Sequence, residues 1–200
     1  MDFINKDFKK IFGYITSGAF VFIAAYFGYY GLPNWTIFNS NSSKEQANIY
    51  NASDIVIDPN TFYEVTNVID GDTFKVKISN GIISDKEVTV RMLGINTPET
   101  VDPRKLVECF GKEASDESKS LLTGKDVKLT LNPNREKTDK YDRLLAYVYL
   151  DGNTFVNELL VKEGYAREYT VGKAYQYQSL FKSDENQARE AGKGLWGACK

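Results

Sequence analysis

The sequence predicts an α+β, mainly β domain. It reads as a closed barrel of five short strands with three helices, preceded by one apolar transmembrane helix and a polar linker. Runs rich in β-branched and aromatic residues recur from residue 62 onward, bounded by Gly, Asn or Asp, which marks strands and turns. Stretches with apolar residues at helical spacing are interleaved with them. Residues 11–32 hold no charged residue and are followed by a chain rich in Asn and Ser.

The N-terminal elements come first. Lys6, Lys9 and Lys10 precede the apolar stretch, and the next charge is Lys44. About 20 apolar residues suffice to cross a bilayer. Tyr26, Tyr29, Tyr30 and Trp35 crowd the distal end, where amphipathic rings favour a membrane interface. The charge bias puts residues 1–10 in the cytoplasm and the remainder outside. The expectation is a single-pass cell-membrane protein with an extracellular domain, or a secreted one if the segment is a cleaved signal. Gly31-Leu32-Pro33-Asn34 is a poor cleavage site, which favours the anchor. Residues 33–60 have linker composition, so the domain is expected over 61–200.

Within the domain, strands are expected over 62–69 and 73–78, joined by the hairpin signal Asp70-Gly71-Asp72. Asn80-Gly81 turns into a third strand over 86–93. Residues 94–100 then leave the sheet, because Thr97-Pro98 does not suit a central strand. A helix over 111–122 places Ala114, Leu121 and Leu122 on one side and ends at Thr123-Gly124. Strands follow over 126–131 and 143–150, separated by a polar loop. Asp151-Gly152 turns into a helix carrying Val156, Leu159 and Leu160, stopped by Gly164, and a last helix covers 175–191. Five short strands with interleaved helices suggest an OB-type barrel, an architecture that often binds oligonucleotides or oligosaccharides. Fold alone does not decide function.

Composition excludes several chemistries. There is no histidine, which removes every mechanism resting on an imidazole base and every His-ligated zinc site. The formal net charge is −2, so binding to a polyanion must come from a local patch. Cys109 and Cys199 are too few for a metal site, and stand either as one disulfide in an oxidising compartment or as two free thiols.

The polar residues at strand ends can carry chemistry. Asp70 and Asp72 flank the first hairpin, Arg91 lies in the third strand, Asn96 and Glu99 follow it, and Arg143 begins the fifth. Taken singly, each has an ordinary explanation as a turn, a cap or a surface ion pair. If the barrel closes, they converge. Carboxyl and amide oxygens suit a hard cation, Glu99 could orient or deprotonate water, and two arginines offer forked donors to phosphate oxygens. Without histidine, this is a toolkit for metal-assisted phosphodiester hydrolysis.

Several stretches carry a family resemblance: Val68-Ile69-Asp70-Gly71-Asp72-Thr73, Val90-Arg91-Met92-Leu93-Gly94-Ile95-Asn96-Thr97-Pro98-Glu99-Thr100, Gly111-Lys112-Glu113-Ala114, Thr138-Asp139-Lys140-Tyr141-Asp142-Arg143-Leu144-Leu145-Ala146-Tyr147 and Val156-Asn157-Glu158-Leu159-Leu160. From about residue 61 to 196 the chain resembles the staphylococcal nuclease family. The resemblance implies an OB-fold and a calcium-dependent nuclease that acts on DNA and RNA and leaves 3′-phosphate ends. It implies that Asp72 and the Thr97 carbonyl ligate Ca²⁺, with Asp70 close to the ion and Asn96 where the family most often has aspartate. Glu99 matches the general-base or water-orienting glutamate, and Arg91 and Arg143 the two phosphate-holding arginines. Lys140 and Tyr141 match positions near the nucleotide's terminal phosphate, and Tyr169 is a candidate base-stacking ring. Asp142 replaces the usual glycine before the second arginine. A monomer is expected, with no protein partner implied. The contrasting reading is a non-catalytic OB module that binds nucleic acid or protein.

Overall fold

The structure is a computed structural model, and it describes residues 52–79, 85–103, 106–151 and 154–200. Strands β1 (Phe62–Asp70), β2 (Thr73–Ile78) and β3 (Lys86–Met92) form an antiparallel meander. Strand β5 (Asp126–Thr130) pairs with the other edge of β1, and β6 (Leu144–Leu150) pairs with β5. The barrel closes where β6 runs parallel to β3, with Val90 opposite Leu144 and Met92 opposite Ala146. This is the OB-type closure that removes free sheet edges.

Alternation fills the interior. Phe74, Val76 and Ile78 of β2, Val88 and Val90 of β3, Val127 and Leu129 of β5, and Leu144, Ala146 and Val148 of β6 are all buried. In β1 the alternation breaks: Tyr63 and Val65 face inward, then Val68 and Asp70 do. Register shifts against β2 lie at those points. A bulge rephases a strand, and here it delivers Asp70 to the buried side.

Helices α1 (Gly111–Leu122), α2 (Val156–Lys162), α3 (Gln178–Glu190) and the short α4 (Leu195–Ala198) surround the barrel. Their buried residues, among them Ala114, Leu122, Leu160 and Phe181, seal it. The helix expected over 175–191 starts only at Gln178; Tyr175 and Tyr177 precede it and pack with Phe181. Three two-residue strands were not expected: β4 (Ile95–Asn96), β7 (Thr154–Phe155) and β8 (Arg167–Glu168). The β4–β8 pair means that the stretch after β3 does not simply leave the sheet, but joins a second, small one. Ala52 and Ile55, within the stretch of linker composition, are buried in the core.

The expected transmembrane helix needs correction. Among the described residues no helix is long and apolar enough to cross a membrane. The longest, α3, has 13 residues, about 20 Å at ~1.5 Å per residue, against the ~30 Å of a bilayer core. Residues 11–32 lie outside the described residues. The membrane helix, the membrane as a partner and the extracellular placement derived from it are therefore withdrawn. The turns expected at Asn80-Gly81 and at Gly152 also fall outside the described residues.

Candidate active site

A cleft of about 1080 Å³ opens beside the β1–β2 turn. Asp70, Asp72, Arg91, Asn96, Thr97, Glu99, Lys140, Tyr141, Arg143 and Tyr169 all line it. The barrel's closure brings them together, since β3 and β6 are neighbours only through the parallel pairing.

The turn is built tightly. Asp70 pairs with Thr73, leaving Gly71 and Asp72 as the two-residue connection. A Cβ on Gly71 would lie 2.7 Å from the Thr97 side chain, so only glycine allows the two loops to meet. Ser118 of α1 donates its hydroxyl to the Gly71 carbonyl. Asp72 Oδ2 accepts the Thr97 N–H at 2.9 Å, and its Oδ1 accepts the Thr73 hydroxyl at 2.9 Å. Asp70 Oδ1 accepts the Thr100 hydroxyl at 2.6 Å. Burial pushes the Asp70 carboxyl up, against the lowering bonds from Thr100 and Gly71, and the charges of Asp72 and Glu99 add to the rise.

Arg91 is the keystone of the loop. Its Nη1 donates to the carbonyls of Met92 (3.0 Å) and Ile95 (2.9 Å). Its Nη2 reaches Asp72 Oδ2 at 2.9 Å and Asn96 Oδ1 at 2.9 Å. Asn96 in turn donates Nδ2–H to the Thr97 carbonyl at 3.2 Å. The amide thus bridges the arginine and the carbonyl, so both loop oxygens expected to face a cation accept protein N–H donors here. The Thr97 hydroxyl is buried without a partner.

Glu99 caps its own loop. Its Oε1 accepts the backbone N–H groups of Thr100, Val101 and Asp102 at 3.0, 2.8 and 3.1 Å. Desolvation pushes this carboxyl up, but the amide donors together outweigh it and hold it below the usual carboxylate range. Glu99 is therefore ionised at neutral pH, as a base or water-orienting group must be.

Across the cleft, Arg143 is set by Asp139. Arg143 Nε and Nη2 approach Asp139 Oδ2 at 2.7 and 2.6 Å, while Asp139 Oδ1 accepts the N–H of Tyr141 and of Arg143. The guanidinium lies over the Tyr141 ring at 5.3 Å and the Lys140 ammonium at 4.9 Å. Tyr141 and Tyr169 are exposed, although the Tyr141 ring is faced by these two cations. Asp142 has φ 57°, which explains the glycine otherwise found there, and its carboxylate accepts the Ala52 N–H at 3.1 Å.

Some organising residues escaped sequence reasoning. Asp139 and Asn157 were noticed only within matching stretches. Asn157, fully buried, accepts the Val148 N–H and donates to the Leu93 carbonyl, both at 2.9 Å. It ties α2 to the root of the site loop. Arg135 and Lys173 also line the cleft, and the Arg135 guanidinium donates to the Lys173 carbonyl. Cys109 and Cys199 form a disulfide.

The donor set fits a hard cation in kind, since it offers carboxylate, amide and carbonyl oxygens. It is lean in charge: among the described residues no group of three or more His, Cys, Asp or Glu side chains could hold a metal ion. Asn96 supplies an uncharged amide, and Glu99 is turned to its own backbone.

A barrel of this closure with these acids and arginines along one cleft is the arrangement that the resemblance to the staphylococcal nuclease family implies. Comparison with known proteins agrees: the family model "Staphylococcal nuclease homologue" matches residues 89–198, and the chain belongs to that family. It is 41% identical over 134 residues to a thermonuclease of Staphylococcus hyicus, covering 67% of this chain and 75% of that protein. It is 42% identical over 129 residues to the endonuclease YncB of Bacillus subtilis, covering 64% of this chain and 58% of that protein. A thermonuclease of Staphylococcus intermedius is 39% identical over 137 residues, 67% of this chain and 75% of that protein.

Proposed function

We propose that this protein is a calcium-dependent nuclease that hydrolyses phosphodiester bonds of DNA and RNA, leaving 3′-phosphate and 5′-hydroxyl ends. The observation that carries the reading is a single cleft lined by Asp72, Arg91, Glu99 and Arg143, in a chain of the staphylococcal nuclease family. Asp72, the Thr97 carbonyl and Asn96 would hold the Ca²⁺, with Asp70 behind them. When bound, the ion supplies positive charge against the phosphoryl oxygens.

The chain's own residues do the rest. Glu99, ionised, orients the attacking water and accepts its proton as the water oxygen bonds to phosphorus and the P–O5′ bond breaks, and the departing O5′ takes up a proton from solvent to give the 5′-hydroxyl. Arg143, preset by Asp139, offers its remaining donors to the phosphoryl oxygens as charge develops there. Arg91 holds the Asp72 carboxylate and the loop in place and lends its charge to the same face. Lys140 and Tyr141 contact the terminal phosphate and base, and Tyr169 stacks a base.

The test is cleavage of single-stranded DNA and RNA by wild type, Glu99→Ser and Arg143→Ala, with added calcium and with chelator. Wild type should cleave only with calcium, and each variant should lose at least about 100-fold in kcat. Variants as active as wild type would remove the catalytic assignment. Nucleic-acid binding without cleavage in all three proteins would favour a non-catalytic module.

A further inference from the structure

We propose that the Cys109–Cys199 disulfide and Glu108 are positioning elements for Glu99, so that the C-terminal end of the chain sets the carboxylate at the cleft. The proposal rests on the role given to Glu99 above. Glu99 and Glu108 are tied twice: Glu108 N–H donates to the Glu99 carbonyl at 2.9 Å, and Glu99 N–H donates to Glu108 Oε2 at 3.2 Å. The next residue, Cys109, is joined to Cys199. Phe110 then takes a left-handed φ of 67°, and Gly111 opens α1 with its N–H on the Glu108 carbonyl at 2.9 Å. A Cβ on Gly111 would meet Thr100 Cγ2 at 2.8 Å and the Glu99 carbonyl at 3.0 Å, so the two segments are in direct contact.

Thr100, at the start of the loop between these anchors, is held by its hydroxyl's bond to Asp70. Near the loop's other end Leu106 is 92% exposed and Val107 is 62% exposed, so these two side chains do not anchor it by burial. Glu99 folds its carboxylate onto the start of that loop, through the amides of Thr100, Val101 and Asp102. The 99–108 tie holds both ends of the segment whose amides orient that carboxylate. The other end of the disulfide is firm. Leu195 is buried, its N–H donates to the Gly164 carbonyl at 2.9 Å, and Trp196 lies under the Arg189 guanidinium at 4.0 Å. The disulfide carries that rigidity to residue 109, and Cys109 is exposed, open to a reducing thiol.

The experiment compares the oxidised protein, the Cys109→Ser/Cys199→Ser pair, Glu108→Ala and Glu108→Gln, at a temperature where all are folded. Reduction with a dithiol is a parallel arm: two electrons and two protons pass from the reagent, the S–S bond breaks to two thiols, and the reagent becomes a cyclic disulfide. Hydrogen exchange at Thr100, Val101 and Asp102 reads the geometry. kcat and KM on single-stranded DNA with calcium read the consequence. Loss of the disulfide or Glu108→Ala should speed exchange at these amides about ten-fold and lower kcat about ten-fold with KM unchanged, the scale of a misplaced catalytic group. Glu108→Gln keeps an acceptor oxygen and should recover most of both effects. In a Glu99→Ser background the cysteine variants should lower kcat no further, because coupled residues are not additive. Equal losses in both backgrounds, or unchanged exchange and kcat in the cysteine pair, would overturn the proposal. Were the oxidised wild type inactive, the proposed function would fail, and exchange alone would still decide the positioning.

Discussion

Arg91 and Asp72 meet at 2.9 Å, Nη2 to Oδ2, with side chains only 10% and 8% exposed. Both charges are out of water, and the arginine also carries two loop carbonyls. Removing one partner of a buried pair leaves the other uncompensated. Arg91→Met should cost about 3–5 kcal/mol of stability, measured by urea unfolding, besides its effect on catalysis. A loss under about 1 kcal/mol, the size of an exposed pair, would show that the loop does not depend on it.

Asn96→Asp changes both ends of a bridge. The variant keeps an acceptor for Arg91 but loses the N–H that now reaches the Thr97 carbonyl, and it brings a new carboxylate near Asp72. Without metal it should be less stable by about 1 kcal/mol. With the added charge it should bind calcium more tightly, by about ten-fold. Calorimetric titration and melting with and without calcium read the two terms. Equal or weaker binding would place Asn96 outside the ligand set.

Gly71→Ala tests the contact between the turn and the Thr97 loop. The new methyl meets Thr97 side-chain atoms at 2.7 Å, and Thr97 is buried. Overpacking of this kind costs about 1–3 kcal/mol, and the displaced Thr97 N–H lengthens its bond to Asp72. The expected result is a lower melting temperature with a lower kcat. A variant with unchanged melting would mean that the loop gives way freely.

Asp184 tests electrostatics away from the cleft. It is buried on α3, and its Oδ2 has no partner. Burial pushes its carboxyl up, Glu158 adds to the rise and Lys162 opposes it. A carboxyl raised by folding contributes stability that is present below the unfolded value of about 3.9 and lost as pH rises through the folded value. Asp184→Asn should therefore be more stable than wild type at pH 7 by about 1 kcal/mol, with the difference fading below about pH 3.5. Equal unfolding curves at pH 7 would show that Asp184 is solvated.

The strands were legible because a half-buried strand writes its geometry as period-two alternation. All five major strands lie within one residue of the expected bounds. The first hairpin was legible because Asp-Gly chemistry is local. The two-residue strands β4 and β8 were not, since a pair that short carries no periodicity and exists only because residues 95–96 and 167–168 meet in space. The bulge in β1 was equally hidden. Simple alternation from Tyr63 and Val65 would turn Asn67 and Ile69 inward; the register shift turns Val68 and Asp70 inward instead. The apolar stretch over 11–32 shows the converse, where hydropathy alone led to a membrane helix that no described helix supports.

By itself the sequence determined the strand set, the absence of imidazole chemistry and the identity of the acids and arginines available for the site, because residue type and short-range spacing are enough for these. Tertiary structure alone decided how those groups are used. It closed β3 against β6, joined Cys109 to Cys199, turned Glu99 onto its own loop and made Asn96 a bridge between Arg91 and the Thr97 carbonyl. The barrel closure and the disulfide depend on residues far apart in the chain arriving within hydrogen-bond or covalent reach, whereas the Glu99 and Asn96 contacts are short-range bonds within one stretch of chain. No local pattern of residues encodes a distance across the barrel.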